Sequence, residues 1–146
     1  MGREIENCII VGAGMGLSAS LASLFRKENM NVVLAARNIK KLDNLKRELG
    51  CHLIQCDASD PTQVEQLFAA TDKLIGQPKM VVYNPSARVR GEITSLDPLE
   101  TKQALDITCY GAFLVAQQAA IRMIKEGSGS IFFTGASAGV KGFPNS

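Results

Sequence analysis

The sequence predicts an α/β fold, a doubly wound parallel sheet with helices on both of its faces. Short apolar strands alternate with helical segments along the chain, and a glycine-rich turn at 12–16 joins the first strand to the first helix. Two further helices begin with the same signal, at Asp60-Pro61 and Asp97-Pro98. Strands that alternate with helices pair in parallel through right-handed crossovers, so we expect five strands in the order 3-2-1-4-5.

The first half of the chain predicts three strands and three helices. Val, Ile, Leu and Ala fill the strands, which suits burial on both faces of a parallel sheet. Asn38 can cap the second helix, Gly50 can end it, and Asp60 followed by a proline begins the third. The predicted elements are strand 7–11, helix 16–29, strand 31–36, helix 39–49, strand 51–56 and a helix from residue 61.

The second half predicts strand 79–83, a loop, one long helix from residue 98 to about 126, and strand 130–134. The second half of the long helix is apolar nearly all round. We expect one face to cover the sheet and the other to meet a second subunit or a further part of the same chain. The fifth strand would leave an apolar edge unpaired, with Ile131, Phe132 and Phe133.

Composition and charge narrow the class of protein. The chain has 146 residues, 46% of them hydrophobic and 21% charged, and a formal net charge of +2. One domain over residues 1–146 is expected at this length. So small a charge predicts neither a nucleic acid nor a membrane surface as partner, and no apolar run reaches the ~18 residues of a membrane span.

Four cysteines lie in or beside apolar segments: Cys8, Cys51, Cys56 and Cys109. They form no C-x-x-C pair, and the single histidine, His52, has no partner at metal-ligand spacing, so no metal site is predicted. Residues 1–6 carry acids and lead directly into a strand, unlike a signal peptide. We therefore expect buried free thiols in a reducing compartment, the cytoplasm.

The glycine-rich turn predicts a phosphate-binding site. Gly12, Gly14 and Gly16 let the backbone turn tightly and approach a pyrophosphate, with Met15 and Leu17 beside them. The helix that follows offers free N–H groups and the positive end of its dipole to the anion. The same glycine spacing occurs in methyltransferases, so the turn alone leaves the cofactor open.

The end of the second strand distinguishes the cofactors. An acid there accepts hydrogen bonds from the ribose hydroxyls of NAD, whereas a base neutralises the 2′-phosphate of NADP. Arg37 follows Gly16 at the spacing expected of this position, and residues 35–38 contain no acid. We therefore predict NADP. The missing carboxylate also disfavours a methyltransferase that uses S-adenosylmethionine.

Polar and small residues follow the third and fourth strands, at the edge of the sheet where open α/β folds bind ligands. Asp57 and Ala58 follow the third strand, and Asn84, Ser86 and Ala87 follow the fourth. We expect Asp57 to accept a hydrogen bond from the adenine amino group. Asn84 either ties neighbouring strands together or lines the cofactor cleft.

With these motifs in register, the chain resembles the short-chain dehydrogenase/reductase family over its whole length. Three segments match or vary its motifs: T-G-x-x-x-G-x-G at 11–18, D-x-[ST]-D at 57–60 and N-N-A-G at 84–87. Arg37 occupies the position typical of NADP-preferring members. The resemblance implies a Rossmann fold and an NADP-dependent oxidoreductase that transfers hydride between nicotinamide and a small carbonyl or alcohol substrate. It also implies a homodimer or homotetramer built on the long helix.

The chain departs from the family at several of these positions. Val11 and Ser18 replace the first Thr and the last Gly of the glycine motif, and Pro85 alters the N-N-A-G turn. In the long helix, Thr108 stands where the family has a catalytic Asn. The catalytic Ser position of the family holds an alanine, Ala136, so Ser137 is the candidate that could replace it.

The family's Tyr-x-x-x-Lys pair, with the Tyr as general acid/base, would follow that serine position by about a dozen residues. The sequence ends at Ser146, and neither Tyr83 nor Tyr110 is followed by Lys four residues later. We therefore expect the 146 residues to belong to a longer chain and to be catalytically incompetent by themselves. Two functions stay open: part of an NADP-dependent oxidoreductase, or a catalytically inactive NADP-binding module that regulates or binds a partner.

Overall fold

One parallel sheet organises the protein. The computed structural model describes residues 6–142; the expectations about the N-terminus and about the end of the chain concern residues that lie largely outside the described ones. The strands are β1 (Asn7–Val11), β2 (Asn31–Ala36), β3 (His52–Gln55), β4 (Met80–Tyr83) and β5 (Ser130–Phe133). They pair in parallel in the order β3-β2-β1-β4-β5, which confirms the predicted sheet and strand order.

Helices connect the strands and cover both faces of the sheet. They are α1 (Leu17–Lys27), α2 (Asp43–Leu49), α3 (Pro61–Leu74), α4 (Pro98–Leu105) and α5 (Gly111–Glu126). Asp60 and Asp97 cap α3 and α4, each accepting hydrogen bonds from two backbone N–H groups of the first turn. Gly50 ends α2 in the left-handed region at φ 65°. The predicted start and stop signals therefore hold at these helices.

Two helical segments differ from their predicted form. The second helix begins as a 3-10 turn, Lys40–Leu42, and the prediction that Asn38 caps it was wrong: the N-cap residues are Ile39 for the 3-10 turn and Leu42 for α2, and neither makes a side-chain cap bond. Asn38 Oδ1 instead accepts from the Lys40 N–H, at 3.2 Å. The long helix widens into a π-helical turn, Asp106–Tyr110, between α4 and α5. Hydrophobic periodicity carries no signal for such a change of helix type.

Alternate side chains of the strands pack into two cores, one on each face. One core joins the sheet to α3 and α5 and includes Ile9, Val33, Val64, Phe68, Val81 and Val115. The other joins the sheet to α1 and α2 and includes Cys8, Ile10, Ala22, Val32, Leu34 and Leu45. Each fully buried Val, Leu, Ile or Phe side chain contributes about 1.5–3 kcal/mol, so both faces of the central strand β1 stabilise the fold.

An arginine fixes α5 against α3. The Arg122 guanidinium makes an ion pair with Asp72, with 2.8 Å between Nη2 and Oδ2, and donates to the same carboxylate through Nε. The guanidinium also lies 5.0 Å from the centroid of the buried Phe68 ring. Because this pair is largely shielded by the two helices, it holds α5 in one position across the sheet.

The outward face of α4 and α5 is apolar and exposed, as are side chains of the edge strand β5. Phe113, Ile124, Phe132 and Phe133 all expose more than half of their surface. By length and composition alone, the helical stretch Pro98–Glu126 could cross a membrane, with a mean hydropathy of 1.2. The inner face of α5 nevertheless belongs to the core of the sheet, and core helices of water-soluble α/β proteins pass the same test.

Three of the four cysteines are buried free thiols, as expected: Cys8, Cys51 and Cys56. Burial raises the pKa of Cys8 and of Cys56 to about 12, and it also raises the pKa of Cys51. The expectation was wrong for Cys109, which is exposed. Cys109 lies on the π-helical turn, and neighbouring side chains leave it open to solvent.

Alkylation distinguishes these thiols. Iodoacetamide at pH 8 should modify Cys109 and leave Cys8 and Cys56 unmodified. The reagent reacts with thiolates that it can reach, and burial both blocks access to Cys8 and Cys56 and raises their pKa, which keeps them protonated. Peptide mass mapping after a brief reaction identifies the modified positions. As a control, the protein in urea should be modified at all four cysteines. Equal labelling of Cys56 and Cys109 in the native protein would contradict the burial described here.

Candidate functional site

A cavity of about 680 Å³ lies at the carboxyl edge of the sheet, where β1 to β4 end. Parallel pairing brings these ends together, since Val11 is the register partner of both Ala35 in β2 and Tyr83 in β4. Such an edge is the usual ligand site of an open α/β sheet. The cavity is lined by strand ends, the turns that follow them and one residue of the π-helical turn: Val11, Gly12, Ala13, Gly14, Ala36, Arg37, Asn38, Lys41, Cys56, Asp57, Ala58, Asn84, Pro85, Ser86 and Ile107.

The glycine turn is held by β2 and leaves open space above it. The N–H groups of Gly12 and Ala13 both donate to the Ala35 carbonyl oxygen, each at 2.9 Å. Gly12 has φ 76°, and a Cβ added there would lie 2.7 Å from Cδ of Pro85. Gly14 and Gly16 have no heavy atom within 4 Å of an added Cβ. Gly12 is therefore required by the fold, whereas Gly14 and Gly16 leave room for a ligand.

Ser18 and Asn84 join the glycine turn to the end of β4. Asn84 Nδ2 donates to the buried Ser18 hydroxyl at 2.8 Å, and that hydroxyl donates to the Gly12 carbonyl oxygen at 3.4 Å. The Asn84 N–H also extends the β1–β4 ladder by donating to the Val11 carbonyl at 2.9 Å. Asn84 thus ties β1 to the end of β4 and also lines the cavity; that this cavity is the cofactor cleft stays a prediction.

Helix α1 begins differently from α3 and α4. Its N-cap is Gly16, which has no side chain to accept from the first-turn N–H groups. Asp60 and Asp97 satisfy the corresponding groups of α3 and α4. The first turn of α1 therefore has no side-chain cap, although its Ala19 N–H donates to the Gly16 carbonyl oxygen at 3.0 Å, and no capping carboxylate offsets the positive end of the helix dipole beside the glycine turn.

The cavity is basic where β2 ends. Arg37 and Lys41 line it from the turn and the 3-10 helix that follow β2, and the exposed side chain of Asn38 lies between them in sequence. Arg37 was predicted from its position after β2, whereas Lys41 was not predicted. A basic residue four positions after Arg37, at the start of a helix, was the signal that could have revealed it.

Asp57 and Ala58 line the cavity from the turn that follows β3. Asp57 Oδ1 accepts hydrogen bonds from the backbone N–H and the hydroxyl of Ser59, at 3.0 and 2.7 Å. Hydrogen bonds from the side chain and backbone of Gln63 lower the pKa of the neighbouring Asp60 carboxyl, which caps α3. Both carboxyl groups therefore order the turn after β3, and Asp57 also lines the cavity.

Most of the predicted cofactor residues meet at this cavity. Seven line it: Gly12, Gly14, Arg37, Asp57, Ala58, Asn84 and Ser86. Four lie outside its lining: Met15 and Gly16 in the glycine turn, Leu17 at the start of α1, and Ala87 after β4. Ile107, which closes the cavity from the π-helical turn, was missed because nothing in the sequence marks that turn.

The two candidate catalytic residues lie outside the cavity lining. The Thr108 hydroxyl donates to the Ala104 carbonyl oxygen at 2.5 Å, within its own helix. Ser137 is exposed in a 3-10 turn, Ser137–Gly139, after β5. Among the residues that the structure describes, no group of three or more His, Cys, Asp or Glu side chains is arranged to hold a metal ion.

The sequence was also compared with known protein families, and the family found has the same strand order and glycine turn. The family described as short chain dehydrogenase matches residues 6–146. The chain belongs to the short-chain dehydrogenase family. Family membership sets aside the methyltransferase alternative, which shared only the glycine turn.

Relatives of this short-chain dehydrogenase confirm the fold and show how much of it is present. An uncharacterized oxidoreductase of Staphylococcus aureus is 26% identical over 126 residues, covering 84% of this chain and 54% of the relative. A short-chain dehydrogenase structure from Rhodopseudomonas palustris superposes with a TM-score of 0.87 at 26% identity, covering 96% of this chain and 68% of that one. A variant of actinorhodin polyketide ketoreductase with NADPH reaches 0.92 at 23% identity, covering 97% and 57%. The chain spans about half the length of the curated relative.

Two glycine substitutions test which glycine of the turn the fold requires. Gly12→Ala should lower the free energy of unfolding by roughly 2 kcal/mol or more, because a left-handed backbone and the Pro85 ring both oppose a Cβ. Gly14→Ala is the matched control, which should change it by less than about 0.5 kcal/mol since the added methyl meets open space. Urea denaturation monitored by circular dichroism measures both values. Equal losses would contradict this division.

Proposed function

We propose that residues 1–146 form the NADP-binding part of a short-chain oxidoreductase that transfers hydride between nicotinamide and a carbonyl or alcohol substrate. The family membership supports an oxidoreductase. The observation that carries the choice of NADP is the pair of cations, Arg37 and Lys41, on the cavity wall where β2 ends.

Charge is the argument for NADP. The 2′-phosphate distinguishes NADP from NAD, and a cationic side chain after β2 stabilises it. Arg37 can donate two parallel hydrogen bonds to a phosphate, and Lys41 adds a second positive charge within the same cavity. The ketoreductase of similar fold, whose structure contains NADPH, supports the same choice.

The residues present suit the rest of the cofactor. The open space beside Gly14 and Gly16 accommodates a pyrophosphate, and the uncapped first turn of α1 supplies N–H donors to it. We assign the adenine to the side of the cavity that Asp57, Ala58 and Ile107 line. When bound, the nicotinamide of NADP supplies or accepts the hydride.

Calorimetric titration tests the cofactor. The chain should bind NADPH roughly 10- to 100-fold more tightly than NADH, the range expected for charge-assisted hydrogen bonds to one phosphate. Arg37→Asp should remove this preference, and Lys41→Ala should reduce it by a smaller factor. Lys40→Ala is the matched control, because Lys40 is exposed beside the cavity without lining it.

The results separate the two parts of the assignment. Equal affinities of the unmutated chain for NADPH and NADH would refute the roles of Arg37 and Lys41. No measurable binding of either dinucleotide would refute the cofactor site itself. A loss in Lys40→Ala as large as in Lys41→Ala would show that only overall charge matters.

A second function is favoured by one part of the structure. Ser137 is exposed and lies outside the cavity lining. The Thr108 hydroxyl donates its hydrogen bond to the Ala104 carbonyl oxygen, and Ala136 has no hydroxyl that could polarise a substrate carbonyl. These features suit a catalytically inactive module that keeps the NADP site and acts by binding a partner. These features concern only the candidate catalytic residues and not the cavity lining, so the cofactor proposal is common to both functions.

A reduction assay separates the two functions. The 146 residues by themselves should not oxidise NADPH with a panel of ketones and aldehydes, because neither of their tyrosines, Tyr83 and Tyr110, is followed by a lysine four residues later. Absorbance at 340 nm measures the rate. Turnover that Ser137→Ala abolishes would overturn this proposal, and Ser128→Ala, in the loop before β5, serves as the control. In a protein of the relatives' full length that contains these residues, turnover would favour the enzyme, and no turnover would favour the inactive module.

The assembly and location of the protein are part of the same proposal. We infer a homodimer or homotetramer built on the exposed apolar face of α4 and α5, where Phe113, Ile121 and Ile124 expose much of their surface. The buried free thiols favour a reducing compartment, and we propose the cytoplasm.

A further inference from the structure

Tyr83 makes the contact between the sheet and the π-helical turn. Its ring is buried at the end of β4, with 3% of the residue exposed. Its hydroxyl donates a hydrogen bond to the Ile107 carbonyl oxygen, 24 residues away in sequence. The ring centroid also lies 6.4 Å from that of Phe133 in the adjacent strand, with the two rings tilted by 52°.

The helix backbone comes unusually close to the sheet at this point. A Cβ added to Gly111 would collide with the Tyr83 hydroxyl and lie 2.7 Å from the Ala58 carbonyl oxygen. Gly111 has φ −61°, an ordinary helical value, so its backbone conformation does not require glycine. The close packing at this position does require glycine, because any side chain would push the helix away from Tyr83 and from the turn after β3.

The contact falls where the helix departs from α geometry. The π-helical turn Asp106–Tyr110 begins one residue before Ile107 and ends one residue before Gly111. A π-helical turn widens the helix and changes the direction of the side chains within it. Ile107 is the one residue of this turn that lines the cavity, beside Ala58 and Asp57.

We propose that the Tyr83 hydroxyl is a positioning group for cofactor binding, which holds Ile107 as the wall of the cavity against the adenosine half of NADP. The proposal rests on the proposed cofactor, and it adds a residue that lies outside the cavity lining. Burial raises the pKa of Tyr83 to about 12, so the phenol keeps the donated proton throughout the physiological range. Without it, the Ile107 carbonyl would lose its partner, and the turn could relax toward α geometry.

Tyr83→Phe tests the role, because it removes the hydroxyl and keeps the ring. At a temperature where both proteins are fully folded, the substitution should weaken NADPH binding by roughly fivefold, the order expected from one hydrogen bond. Adenosine 2′,5′-bisphosphate, which lacks the nicotinamide half, should lose affinity by the same factor. Tyr110→Phe is the matched control, since Tyr110 lies in the same turn but is exposed and outside the cavity lining.

Amide hydrogen exchange supplies a readout that general destabilisation would not reproduce. In Tyr83→Phe, exchange should accelerate at residues 107–112 and stay unchanged in α3, which packs against the same core. Uniform acceleration across the protein, with unchanged ligand affinity, would show that the hydroxyl only stabilises the fold.

The outcomes distinguish this inference from the cofactor proposal. If the unmutated chain binds NADPH and Tyr83→Phe binds it equally well, the positioning role is refuted and the cofactor site stands. If the unmutated chain binds no dinucleotide, the cofactor proposal fails first. If Tyr83→Phe does not fold, Ile107→Ala replaces it, and unchanged NADPH affinity in that variant would refute the wall that Tyr83 is proposed to hold.

Discussion

The parallel pairing of β1 with a strand on each side is the constraint on which the rest of the structure depends. β1 is buried on both faces, and its last residue, Val11, lies level with the ends of β2 and β4. This alignment brings turns that are far apart in sequence to one edge. The Ala35 carbonyl can then hold the glycine turn, and Asn84 can reach Ser18. The cavity is a consequence of strand register before any ligand is considered.

Much of the fold could be predicted because its signals are local. Aspartate followed by proline marks the starts of α3 and α4, Gly50 marks the end of α2, and β-branched residues mark strands buried on both faces. Strand order then follows from the handedness of the crossovers and the position of the glycine turn. The residues proposed to bind the cofactor belong to the same local signals, since most of them stand immediately after strands.

What the sequence did not reveal depends on contacts between distant segments. The π-helical turn coincides with a buried phenol on β4 and a glycine that allows close approach, and neither residue is unusual in its own segment. Lys41 lines the cavity from the 3-10 turn Lys40–Leu42, which the sequence did not distinguish from the rest of the predicted helix. Cys109 lies in the π-helical turn and is exposed, although its sequence segment is apolar. Side-chain direction within an irregular turn requires the tertiary structure.

The glycine at the start of α1 has a thermodynamic consequence. No side chain caps the first turn of that helix, so an anion bound there would interact with a helix dipole that no carboxylate offsets. If the proposed dinucleotide binds at this turn, linkage makes its binding free energy part of the free energy of unfolding. The stability of the sheet edge would then rise with the concentration of the nucleotide.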